Sequence, residues 1–413
     1  MKILLALLGA LALSMISESV QACDTGLYRA SDSTVAVAVT QRADVQRYML
    51  TDGRRGEMGE AGSLVTCVGE HLRLGGTRLE RVALAITHTQ FESHGTALSG
   101  WLIEPPGVAA EAPLLVLVHG SERTSPITSA YPYIFAAYGL RVFAYDKRGT
   151  GSSEGEYTQN FELLADDAAA ALKQARTIAQ GRYGRIGFFG GSQGGWVAPL
   201  AATRSAPDFV SVGFGLVLSP LEEDREQVLR EVRDAGGDED DIAAAREITD
   251  ATAALIQSGF REGYDALRAA RDHSRNRAWF PHIRGEFTGD ILAMSEADLR
   301  RIGRARFDNL ELIWDYDGAA TLSSLKVPVL WIIAEADREA PPKITLQRLD
   351  EIRQRGASID IFSFPDTDHG MVEFQQQADG ERVYGRITEG YFRLLTDWIH
   401  GDATSVYGRA RRR

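Results

Sequence analysis

The stretch Gly190-Gly191-Ser192-Gln193-Gly194 sets a hydroxyl among glycines in the pattern Gly-x-Ser-x-Gly. That spacing suits a nucleophile on a strained turn, where flanking side chains would collide with neighbouring backbone. Alone it is a weak signal, because a glycine-rich turn that merely carries a hydroxyl reads the same. Its flanks add weight. The apolar run Ile186 to Phe189 precedes it directly and the helical run Trp196 to Thr203 follows. This is the strand–turn–helix that a nucleophile elbow requires.

A serine hydroxyl is a poor nucleophile until a base takes its proton. Among the eight histidines, His369 in Asp366-Thr367-Asp368-His369-Gly370 follows the last apolar run. It stands after both the serine and the candidate acid, the order Ser, Asp, His expected of such an elbow. The acid that orients the imidazole is read as Asp337, in Ala334-Glu335-Ala336-Asp337, with Glu335 as a near competitor. Asp366 and Asp368 are further alternatives, though residues so close to the histidine in sequence are badly placed to meet its ring. Backbone N–H donors for the oxyanion are expected from Gln193 and from Ser121, in His119-Gly120-Ser121-Glu122-Arg123. His119 precedes the serine and reads as a structural part of that loop. Arg123 reads as solvent-facing or ion-paired rather than as a carboxylate binder.

Tyr145-Asp146-Lys147-Arg148-Gly149-Thr150-Gly151-Ser152-Ser153 follows a strand-like run and invites a phosphate-cradle reading. It fails as a Walker motif, because no Gly-Lys-[Ser/Thr] follows the glycines. No His-Glu-x-x-His or paired Cys-x-x-Cys points to a catalytic metal, and no cofactor is expected. The net charge of −12 argues against nucleic acid, which needs a surplus of Lys and Arg. Arg409 to Arg413 is the contrary run, within a basic C-terminal tail (401–413) expected to be a loose, solvated end.

Alternating runs predict the elements that hold these residues. Met1-Lys2, the apolar stretch Ile3 to Ile16 and the small-residue site Val20-Gln21-Ala22 read as a secretory signal peptide over residues 1–22. In an exported protein Cys23 and Cys67 have two mutually exclusive readings. The favoured one is a disulfide closing a loop of about 44 residues. The other lipidates Cys23, and only then is a membrane a partner. Residues 23–97 alternate β-prone pieces with glycine turns, among them Val35 to Val39, Tyr48 to Leu50, Leu64 to Cys67 and Arg81 to Ile86. Continuous apolar runs follow at Leu114 to Val118, Arg141 to Tyr145, Arg185 to Phe189, Gly213 to Leu218, Val327 to Ile333 and Ile359 to Phe364. Separated by helical patterns such as Phe161 to Ala179, they predict an α/β fold with a doubly wound, mostly parallel sheet over residues 98–220 and 326–400. Residues 221–325 are helix-prone, far longer than an ordinary crossover, and read as an inserted helical cap. Its aromatics Trp279, Phe280, His282, Phe287, Trp314 and Tyr316 are expected to line an apolar acyl pocket.

From about residue 98 to 400 the chain resembles the α/β-hydrolase superfamily. The resemblance rests on His119-Gly120, Asp146-x-Arg148-Gly149-x-Gly151-x-Ser153, the elbow Gly190 to Gly195, Asp337 and His369. The extra Gly195 and the large cap are most similar to bacterial esterases and serine aminopeptidase-like hydrolases. The resemblance implies structural roles for Asp146 and Arg148. It also implies an enzyme that cleaves small or medium carboxylic esters through an acyl-enzyme on Ser192, and the signal peptide makes that enzyme exported, periplasmic or secreted. Peptidase or amidase activity on the same triad stays open, so the expected partner is a small ester or peptide substrate. A non-catalytic binding protein on this scaffold is a third reading, set against it by the presence of all three triad residues.

Overall fold

The structure, a computed structural model, describes residues 23–413 except Asp32 and Asp379. The expected signal peptide, residues 1–22, lies outside the described residues. Seven short strands come first: β1 (Gly26–Arg29), β2 (Ala36–Arg42), β3 (Val45–Leu50), β4 (Arg55–Glu57), β5 (Val65–Val68), β6 (His71–Leu74) and β7 (Thr77–Arg81). They pair antiparallel in the order β4-β3-β2-β1-β7-β6-β5. Side chains alternate faces along a strand. Val37 and Val39 therefore join Tyr48, Leu50, Val65 and Leu72 in a small core, while Ala36 and Ala38 face the neighbouring layer. Cys23 and Cys67 are joined in a disulfide at this small core.

The second sheet is built from β8 (Ala85–Ser93), β9 (Thr96–Glu104), β10 (Leu114–Val118), β11 (Arg141–Tyr145), β12 (Ile186–Gly191), β13 (Phe209–Gly213), β14 (Val329–Ala334) and β15 (Ile359–Phe364). A three-stranded sheet follows, β16 (Thr367–Asp368), β17 (Val372–Gln376) and β18 (Arg382–Ile387), and β19 (Arg411–Arg412) ends the series. The large sheet runs β19-β15-β14-β13-β12-β10-β11-β9-β8, with β10 to β15 mutually parallel. In β10 every residue is buried, because Leu114, Val116 and Val118 face one helical layer and Leu115 and Leu117 the other. Helices α1 (Tyr131–Ala137), α2 (Phe161–Ile178) and α3 (Gly194–Ser205) cover the sheet. Six more, α4 (Pro220–Asp234), α5 (Glu239–Gln257), α6 (Tyr264–Ser274), α7 (Thr288–Ala293), α8 (Glu296–Phe307) and α9 (Gly318–Ser324), lie between β13 and β14. Helices α4 to α8 hold a hydrophobic core of their own, while α9 packs on the core of the sheet through Leu322, and α4 opens on a Ser219–Glu222 capping box. Helices α10 (Pro342–Gln354) and α11 (Tyr391–His400) complete the layers.

Three expectations are corrected. The strand read at Gly213 to Leu218 is instead β13, which starts four residues earlier and ends at Gly213. Ser211 is tolerated there because its hydroxyl donates to the Phe188 carbonyl at 3.0 Å, and Leu216 to Leu218 form a buried loop. An apolar run alone does not separate strand from buried loop. The strand read over Arg81 to Ile86 is a break between two sheets, β7 ending at Arg81 and β8 starting at Ala85. The tail is exposed but not loose. Arg411 and Arg412 pair with Ser363 and Phe362, while Arg412 and Arg413 form ion pairs with Asp360 and Glu335.

Candidate active site

Strand β12 stops at Gly191, helix α3 starts at Gly194, and the turn between them must reverse within two residues. Ser192 there takes φ +53°, a conformation that costs an ordinary side chain on the order of 1–3 kcal/mol. Two glycines make the turn possible. A β-carbon on Gly190 would lie 2.2 Å from the Gly194 carbonyl oxygen, and one on Gly195 would lie 2.8 Å from the Gly215 Cα.

His369 stands in the short loop after β16, at the carboxyl end of the parallel sheet. Its Nε2 is 3.0 Å from Ser192 Oγ, and its Nδ1 is 3.0 and 3.2 Å from the two oxygens of Asp337. Asp337, only 1% exposed beyond β14, also accepts the amides of Glu339 and Ala340 at 2.9 and 2.8 Å. A carboxylate fixed by two amides and facing Nδ1 makes that nitrogen the N–H donor, leaving Nε2 as acceptor toward the serine. Burial works to lower the imidazole pKa. The hydrogen bond and charge of Asp337, with Glu339 and Asp368 beyond it, outweigh burial and hold it above 6.5.

The competing carboxylates are occupied elsewhere. Glu335 accepts from Ser363 Oγ and pairs with Arg413 and Arg411, and Asp366 is surface-exposed and paired with Arg409. Asp368 accepts the His369 and Arg338 amides at 2.8 and 3.0 Å and binds Arg382 and the Tyr384 hydroxyl. It shapes the loop without meeting the ring. Buried His119 bonds through Nε2 to the Tyr145 carbonyl, and burial next to Lys147 depresses its pKa to about 3. A neutral ring donating to a carbonyl is a strut rather than a base. Arg148 and Asp167 form a buried two-bond pair at 2.7 and 2.6 Å, and Asp146 accepts from Ser125 and from the Ser152 amide.

Ser121 and Gln193 line a cavity of about 260 Å³ together with Ser192 and His369. Among the described residues no acceptor takes the amide of either Ser121 or Gln193. Of the six cap aromatics named from sequence, Phe287 and Trp314 line this cavity. Trp279 is instead buried in the cap's own core, Tyr316 packs on Phe161, and Phe280 and His282 lie away from the lining. Phe307, Leu312, Trp196 and Leu216 complete the apolar wall.

Three lining carboxylates went unread in the sequence: Glu223, Glu286 and Glu339. Desolvation, then Glu286 and Asp337, drives Glu223 well above the carboxylate range. Glu286 on the rim is pushed up to about 7 by desolvation, Glu339 and Asp224. Glu223 on charged helix α4 reads as part of a solvated face, and Glu286 and Glu339 sit in polar loops; only the tertiary fold brings the three around one cavity.

Over 286 residues the chain is 27% identical to the quorum-quenching protein AidA of Acinetobacter baumannii (strain MDR-ZJ06), covering 66% of this chain and 85% of that one. Solved structures similar to it include an esterase of Pyrococcus furiosus, 15% identical with a TM-score of 0.42 over 70% of this chain and 85% of that one. An acylaminoacyl peptidase of Pyrococcus horikoshii is 15% identical with a TM-score of 0.43, over 80% of this chain and 45% of that one. The sequence model of the alpha/beta hydrolase family matches residues 115–383, which span the elbow, Asp337 and His369, and the chain belongs to that family.

Proposed function

We propose that this chain is an exported serine hydrolase that cleaves carboxylic esters through an acyl-enzyme on Ser192. The observation that carries the reading is the unbroken hydrogen-bond line from Asp337 through His369 to Ser192. His369 takes the Oγ proton as the serine attacks the ester carbonyl, and the amides of Ser121 and Gln193 receive the oxyanion. The resulting imidazolium, held by Asp337, returns the proton to the departing alcohol. Water then repeats the sequence against the acyl-enzyme. The apolar wall of Phe287, Phe307, Trp314 and Leu312 holds the acyl chain.

A fluorophosphonate probe tests the nucleophile. Labelling is expected in the native protein and lost in Ser192→Ala, and labelling that survives the substitution refutes the assignment. Export is supported by the apolar leader-like stretch and by the Cys23–Cys67 disulfide, a bond that persists in oxidising compartments. Amino-terminal sequencing of protein recovered outside the cytoplasm should begin at Cys23.

Peptidase activity on aminoacyl substrates is the second reading, favoured by the three glutamates around the cavity. An ammonium group suits that wall once Glu286 ionises. A panel of p-nitrophenyl esters against aminoacyl p-nitroanilides ranks the two. Under the second reading Glu286→Gln raises KM for the cationic anilide alone, and native KM for it rises as pH falls through about 7. Unchanged KM in both tests removes that reading. A reporter assay of signal turnover belongs beside the panel, because the A. baumannii relative is named a quorum-quenching protein.

A further inference from the structure

Three consecutive peptide units in the loop after β10 have their carbonyls held by side chains from the loop after β11. Lys147 Nζ donates to the Gly120 carbonyl at 2.6 Å and to the Glu122 carbonyl at 3.3 Å. Tyr157 donates its hydroxyl to the Ser121 carbonyl at 2.5 Å, and Gln159 Nε2 donates to that hydroxyl at 3.2 Å. Lys147 is 2% exposed and, among the described residues, donates to carbonyl oxygens and to no carboxylate. Placing an ammonium inside a protein against carbonyls alone is costly, which marks the arrangement as one with a task.

Geometry supplies the task. A peptide unit is planar and trans, so its C=O and N–H point in opposite directions. Fixing the Gly120 oxygen on Lys147 therefore aims the Ser121 N–H away from the ammonium, and Ser121 lines the cavity beside Ser192. Gly120 itself lies against the nucleophile, where an added β-carbon would sit 3.5 Å from Ser192 Cβ. The ammonium also draws electron density through that peptide and makes its N–H a stronger donor.

We propose that Lys147 is a positioning residue that orients and polarises the Ser121 amide for the oxyanion, with Tyr157 steadying the next peptide unit of the same loop. The proposal rests on the serine-hydrolase reading above and assigns a role to a motif position that the triad leaves unused. The ionisable groups facing Lys147 are Glu122 and Arg123 from its partner loop, His119 at the strand end and Tyr157 across the loop. Burial lowers the Lys147 pKa to about 8, against the pull of Glu122 and with the push of Arg123. The ammonium is thus present below about pH 8 and lost above it, which adds an alkaline fall to kcat.

The test compares Lys147→Met, Lys147→Gln and Tyr157→Phe with the native enzyme on a p-nitrophenyl ester. Lys147→Met is expected to lower kcat by about 10²-fold with KM held, the scale of losing one oxyanion donor. A trifluoromethyl ketone inhibitor, which forms an oxyanion on the serine, should weaken by the same factor. The alkaline fall should vanish. Lys147→Gln keeps a donor without the charge and should recover part of kcat while still lacking that fall. Tyr157→Phe removes one hydroxyl from a half-exposed side chain and should cost roughly three- to tenfold in kcat; it keeps the test alive where Lys147→Met does not fold. Native kcat in the variants, or a kcat loss with unchanged ketone affinity, overturns the positioning role. Fluorophosphonate labelling that persists in Ser192→Ala overturns the underlying reading instead, so the two failures are distinguishable.

Discussion

At the scale of single residues, the hydrogen bond between Asp337 and His369 decides which ring nitrogen meets Ser192. Asp337→Asn preserves the shape but favours the wrong tautomer, and kcat should fall by about 10⁴-fold. Glu335→Gln should leave kcat unchanged, since that carboxylate is spent on Ser363 and the C-terminal arginines. Steady-state kinetics on the two variants checks both. The pH dependence follows from the raised His369 pKa. Above it the imidazole is neutral and accepts the serine proton; below it the ring is protonated and cannot. The acid limb of kcat/KM in the native enzyme is therefore expected at a pH above 6.5, and a limb well below that value contradicts the assignment. Ser192 and His369 were legible because the elbow is local and the chain order restricts the base. Among four carboxylates the sequence order favoured Asp337, but that it is the one turned toward Nδ1 depends on the fold.

At the scale of elements, the loop after β11 is clamped to helix α2 by the buried Arg148–Asp167 pair, with 7% and 1% of the side chains exposed. Removing one partner strands a buried charge. Arg148→Met should lower unfolding free energy by about 3–5 kcal/mol, and adding Asp167→Leu should restore most of it. Urea denaturation of the single and double variants measures this, and equal losses in both would show that the charge pair is not the source. The same loop carries Lys147 and Tyr157, so a loosened Arg148 should also reach the oxyanion side. Continuous apolar strands such as β10 and β14 were readable because both faces are buried. Strands β16 to β18 escaped notice, because they are short and rich in polar residues, and β17 and β18 are partly exposed.

At the scale of the whole molecule, the site draws on β10, β12, β14, the loop after β16 and the cap, and on nothing in β1 to β7. Those first strands dock through the Gly53 carbonyl, which accepts the Ile387 amide at 3.0 Å, and through Tyr138, whose hydroxyl donates to the Thr51 carbonyl at 3.0 Å. Reducing Cys23–Cys67, which spans 44 residues, should destabilise that sheet by up to about 4 kcal/mol. Amide exchange should rise in β1 to β7 while probe labelling of Ser192 persists. Loss of labelling on reduction would show that the first sheet supports the site directly.

By itself the sequence determined the candidate reacting groups and the kind of sheet that holds them. A nucleophile elbow, an ordered Ser, Asp and His, and doubly buried strands are local or periodic features, and local sterics and burial dictate them. Tertiary structure alone decided that Glu223, Glu286 and Glu339 line the cavity beside the serine and that Lys147 and Tyr157 reach the Gly120 to Glu122 loop, and it singled out Asp337 from its three competitors. Those contacts join segments far apart in the chain, and no periodicity records a distance between them.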